Sequence, residues 1–130
     1  MPAGSAAALI CDTGVLIDYL VESAPDHGRF RKAIDQARTR YVPGLVLAEV
    51  DYFLRDERQG MQQFMEDLVR GAFTYAPPTL GPLTRAMEVD RRFADLSLGL
   101  VGASVVALAE SLGIRIGDTR RASLRRCSTP

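Results

Sequence analysis

The first hydrophobic run of the chain, Leu9-Ile10-Cys11, ends in Asp12-Thr13, and a helical pattern through Leu16, Ile17 and Leu20 begins at once. An apolar run that stops at an acid and a hydroxyl predicts a buried strand feeding a helix N-cap. Asp12 then stands at the carboxyl end of a central strand, where open α/β sheets keep their ligand crevice. The same residue also fits a plain capping role. Helical spacing returns over 26–38 (Phe30, Ala33, Ile34, Ala37), from about Gly44 (Leu45, Val46, Tyr52, Phe53), and over 62–70. It returns again over 80–93, with Leu83, Ala86, Met87 and Val89 facing inward, and over 101–112, the most apolar stretch. Short apolar runs at 41–43, 72–76 and 114–116 predict further strands, the first cut off by Pro43. Gly113 reads as a helix stop. Strands alternating with helices predict an α/β fold with a parallel sheet and helices on both faces.

Composition narrows the classes. A chain of 130 residues is one domain able to bury a core. Lys+Arg and Asp+Glu are both 16, so any nucleic-acid site has to be a local patch. Lys32 is the only lysine, and the arginines suit bidentate phosphate contacts. Cys11 lies in an apolar run and Cys127 in a polar tail, a spacing that fits neither a disulfide framework nor a zinc site. That usage predicts a reducing, cytoplasmic setting. No apolar run approaches the roughly 20 residues that span a bilayer, and the start, 2–8, lacks the charged region of a secretory signal. His27, the one histidine, reads as a solvated polar residue.

Three acids stand out from this background. Asp12 and Asp118 each follow a predicted strand, and Glu49 lies on the helix after the second strand, bordering its apolar face. A carboxylate there is costly unless something meets it. In a parallel sheet all three can converge on one edge. Carboxylates without histidine or cysteine partners suit Mg²⁺ or Mn²⁺. Such ions activate water in phosphoryl chemistry. A phosphatase of the haloacid-dehalogenase type also opens with an aspartate after its first strand. It needs a second aspartate two positions on, where this chain has Gly14.

Cys11-Asp12-Thr13, Leu47-Ala48-Glu49-Val50 and the long block from Phe93-Ala94-Asp95 through Gly102-Ala103-Ser104 to Ala109-Glu110 occur in this order. With them the chain resembles PIN-domain ribonucleases, and within that family the VapC toxins of VapBC toxin–antitoxin pairs. The resemblance implies a Mg²⁺-dependent (or Mn²⁺-dependent) endoribonuclease, a homodimer, held inactive by a VapB antitoxin. It maps Asp12 and Glu49 onto catalytic, metal-binding acids, with Thr13 supporting the first and Asp95 a companion in the third block.

The chain departs from that family twice. The third block normally reads Leu-Ala-Asp-Ala-Ser or Leu-Val-Asp-Ala-Ser, and its aspartate is a principal metal ligand. Here that position is Gly102. Gly102 also fits an innocent role as a helix cap; the reading taken is a disabled site. After the fourth strand the family continues Thr-x-Asp-x-Arg-His-Phe into a final strand, which is missing from this chain. Residues 118–130 form instead an irregular tail with four arginines after Asp118, so the PIN-like domain is expected over 1–117. Back-translated with suitable synonymous codons and read one base later, the tail can give Thr-Arg-Asp-Val-Arg-His-Phe, which suggests a frameshift. Asp118 then lies close to, and not at, the usual fourth-acid position. The expected activity is therefore VapC-like cleavage of RNA phosphodiesters, impaired by Gly102 and the tail. The alternative is an inactive PIN-fold protein that binds antitoxin or RNA. Arg91, Arg92, Arg115 and Arg120 are the candidate phosphate contacts.

Overall fold

The computed structural model describes residues 8–117, so the irregular tail, Asp118 and Arg120 lie outside the described residues. Ala8–Cys11 forms β1, and Thr13–Leu20 forms α1. His27–Gln36 is α2, Thr39–Pro43 is β2, and Gly44–Phe53 is α3. Arg58–Val69 is α4, Thr74–Ala76 is β3, Leu80–Arg92 is α5, Gly99–Leu112 is α6, and Arg115–Gly117 is β4.

All pairings are parallel, in the order β3-β2-β1-β4. β1 is therefore interior, flanked by β2 on one side and β4 on the other, which explains why Ile10 and Cys11 are fully buried. The chain walks from β1 outward to β3, then returns past β1 to β4. With right-handed crossovers this reversal places helices on both faces and opens a crevice at the carboxyl ends of β1 and β4. There Cys11 pairs with Gly117, and Asp12 is the next residue along β1.

The core is continuous across both layers. Phe73, just before β3, receives Phe64 of α4 edge-on at 5.1 Å and Tyr19 of α1 edge-on at 5.9 Å. T-shaped aromatic contacts of this kind add to plain area burial. On the other side α6 buries Ala103, Val105, Val106, Ala107 and Ala109 against β1 and β2, its small residues allowing close approach. Gly113 closes α6 with φ +66°, the left-handed stop that glycine adopts without a Cβ penalty.

Several sequence expectations shift. α4 starts four residues earlier than the apolar spacing indicated, at Arg58 rather than 62: Arg58 and Gln59 are polar and exposed, and Met61 is buried in the core. β3 keeps only Thr74–Ala76, since Phe73 turns into the aromatic core instead of the ladder. Met87, expected inward, is 55% exposed; Ala86 and Val89 define the buried stripe of α5 and Met87 falls beside it. Gly102 does not cap α6, whose first residue is Gly99; it lies inside the helix and is buried.

Candidate functional site

β1 ends where the chain needs a cap, and Asp12 supplies it. In extended conformation (φ −81°, ψ 167°), its carboxylate accepts the Thr13 N–H at 2.7 Å and is 2% exposed. The free N–H groups and positive dipole end of α1 favour a carboxylate at this point. Capping and a site role are thus compatible: the cap is what holds the acid at the sheet edge.

Thr13 opens α1 with its side chain buried, and its hydroxyl donates to Glu49 Oε1 at 2.5 Å. This is the short end of the range for a hydroxyl bonded to a carboxylate. Glu49 stands in α3, half-buried, between the exposed Ala48 and the buried Val50. One residue therefore binds both carboxylates, Asp12 through its amide and Glu49 through its hydroxyl. The packing of α1 on α3 makes this possible. The resemblance attached Thr13 only to Asp12. Its bond to Glu49 spans 36 positions, and nothing local in the sequence signals it.

The remaining expectations divide. Asp95 is exposed in the 3-10 turn between α5 and α6. Gly102 is buried on α6, a helix that packs on β1 and α3, the elements that lead into or carry the two acids. A Cβ built there would meet only the Leu98 Cβ, at 3.4 Å, ordinary contact. The backbone thus tolerates a Cβ at 102. Among the described residues no group of three or more His, Cys, Asp or Glu side chains could hold a metal ion. Tested on its donor set, the described part of this edge gives a divalent cation a poor fit: it offers two carboxylates, both hydrogen-bonded to Thr13, and no third.

The neighbouring nucleophile and base candidates have other duties. Burial pushes the Cys11 thiol up to about 12 from 9.0, which Arg40 partly offsets, so it stays protonated and unreactive. His27 Nδ1 bonds the Asp18 carbonyl oxygen at 3.0 Å, a structural contact. Arg91 and Arg92 are exposed at the end of α5, with the Arg92 guanidinium 5.3 Å from the Phe93 ring centroid.

No helix of the described residues is long and apolar enough to cross a membrane. A search of curated proteins finds no sequence match. Among solved structures, the chain is similar to the Mycobacterium tuberculosis toxin VapC20, whose crystal structure is described as that of a sarcin–ricin-loop-cleaving toxin. The TM-score is 0.77 at 15% identity, covering 88% of this chain and 93% of the toxin. At that identity the likeness shows the shared fold. The model of the PIN domain matches residues 9–120, from the start of β1 to just beyond β4. A match over so much of the 130-residue chain, with Asp12 and Glu49 gathered at the carboxyl end of the central strand, establishes that this protein belongs to the PIN-domain family.

Proposed function

We propose that this protein is a VapC-type toxin whose family chemistry, divalent-metal-dependent endoribonucleolytic cleavage of RNA phosphodiesters, is impaired in this chain. The observation that carries the reading is the Asp12–Thr13–Glu49 trio at the sheet edge, paired with a buried Gly102 that contributes no carboxylate. Asp12 and Glu49 would be the protein ligands of a Mg²⁺ or Mn²⁺ ion, whose chemistry is to activate water and offset developing charge. Asp118 is a further candidate ligand, and Thr13 holds the pair in place. Without a third carboxylate at position 102 the ion is held poorly. That the fold neighbour is described as a sarcin–ricin-loop-cleaving toxin supports a nuclease reading, without fixing the target.

A VapB-type antitoxin in the cytoplasm is the partner this reading implies. Surface features suit a protein partner: a groove of about 560 Å³ lined by Leu20, Val21 and Leu54 and by the polar Asp56, Glu57 and Arg58, and the exposed rings Tyr52 and Phe53 one turn beyond Glu49. Exposed Leu80, Met87 and Leu100 on α5 and α6 suit a homodimer contact.

The test is RNA cleavage by the purified chain beside its Gly102→Asp variant, each with Mn²⁺ and with EDTA. The reading predicts little or no cutting by the unaltered chain and cutting by the variant that EDTA abolishes. EDTA-sensitive cleavage of equal rate by both proteins would overturn the impairment. Failure of the variant to cut, with RNA or antitoxin still bound, favours the alternative of a binding protein that keeps the fold without the chemistry.

A further inference from the structure

We infer that Thr13 is a hydrogen-bonding latch that stands in for a cation, so that the free protein keeps its two acids together without a divalent ion. The inference takes the acid pair from the reading above, but not its nuclease activity. Two carboxylates brought to one edge repel each other, and a low-dielectric surrounding sharpens that repulsion. A bound cation is the usual remedy; fixed donors are another. Here Thr13 supplies such donors. The Thr13 amide reaches Asp12 at 2.7 Å and the Thr13 hydroxyl reaches Glu49 at 2.5 Å, both from a residue only 5% exposed. The N-terminal end of α1 adds a positive partial charge beside Asp12.

The latch has a geometric consequence. Glu49 Oε1 accepts the Thr13 hydroxyl, so a cation taken up through that oxygen would compete with the bond. Helix α6, which packs on β1 and α3, carries the buried Gly102 and no carboxylate at the third-block position. The free chain is therefore indifferent to divalent cations. Weakening the latch makes it responsive to them, and Thr13 acts as a positioning residue for Glu49.

The experiment measures Mn²⁺ binding by electron paramagnetic resonance and thermal melting in EDTA or millimolar Mn²⁺. The proteins are the full unaltered chain, Thr13→Ser, Thr13→Val, Glu49→Gln and Gly102→Asp. The unaltered chain and Thr13→Ser should melt at the same temperature with and without Mn²⁺. Both should bind the ion at least about tenfold more weakly than Gly102→Asp, the low end of what one ligand-shell partner is worth. Thr13→Val should melt lower in EDTA and recover with Mn²⁺. Glu49→Gln, which still accepts the hydroxyl but carries no charge, should melt no lower than the unaltered chain and ignore Mn²⁺. If Mn²⁺ raises the melting temperature of the unaltered chain saturably, or if Thr13→Val ignores Mn²⁺ as Glu49→Gln does, the inference is overturned. If Thr13→Val does not fold, the binding measurement on the unaltered chain decides alone. None of these outcomes depends on RNA cleavage, so a failure here is distinct from a failure of the nuclease reading.

Discussion

Cys11 sits one residue before Asp12 with no accessible surface, and its thiol is pushed up to about 12 from 9.0, chiefly by burial. A folded-state value above the unfolded one contributes stability that is present below the unfolded pKa. That contribution is lost as pH rises from about 9 toward 12. The expected outcome is an alkaline loss of stability in this window that Cys11→Val, in a Cys127→Ser background, no longer shows in urea titrations. Thiol reagents should leave Cys11 unmodified until the protein unfolds. Gly44 is a second position governed by space. A Cβ there would strike the Pro78 ring and come within 2.9 Å of the Tyr75 hydroxyl. Gly44→Ala should therefore cost about 1–3 kcal/mol, as overpacked sites do, read from the shift of a denaturant midpoint. An unchanged midpoint would mean that the segment after β3 moves freely away from α3.

Among the elements, α4 is anchored by two buried side chains, Met61 and Phe64. Phe64 is fully buried and meets Phe73 edge-on at 5.1 Å, the contact that ties α4 to the approach of β3. Phe64→Ala should lose about 3–5 kcal/mol of unfolding free energy, and Phe64→Leu distinctly less. The α5–α6 hairpin carries a bidentate clamp, Arg85 Nε and Nη2 to the two oxygens of Glu110 at 2.8 and 3.0 Å. The Arg85 guanidinium holds the Glu110 carboxyl below its ordinary value. A depressed folded-state pKa gives stability above the unfolded value, near 4.5, that disappears as pH falls through the folded value. Glu110→Gln should therefore melt slightly lower at neutral pH, the exposed pair being screened by solvent, and equal to the unaltered chain in strong acid. The order of helices and strands was legible because apolar periodicity reports burial. The start of α4 and the outward turn of Met87 were not, because polar helix starts and stripe edges depend on which neighbour packs against them.

For the molecule as a whole, the sheet order β3-β2-β1-β4 makes β1 interior and puts its last residues at the reversal of strand order, so the fold itself selects Asp12 for a site. That much was readable from an apolar run ending in an acid. The partnership with Glu49 was suggested by the parallel sheet and by family resemblance, while its physical form, a shared Thr13, emerged only when α1 packed on α3. Asp95 did not join, since the turn before α6 leaves it in solvent. Gly102 was legible as a departure, and the fold adds that the position is buried and tolerates a Cβ. The central claim is that this PIN fold retains an acid pair closed on its own threonine and one carboxylate short of a cation site. Anomalous diffraction from crystals soaked in Mn²⁺ tests it most directly. The account predicts a strong manganese peak between Asp12 and Glu49 in Gly102→Asp, and in the unaltered chain an intact Thr13–Glu49 hydrogen bond with no such peak. A fully occupied manganese ion on Asp12 and Glu49 of the unaltered chain, with that bond broken, would contradict it.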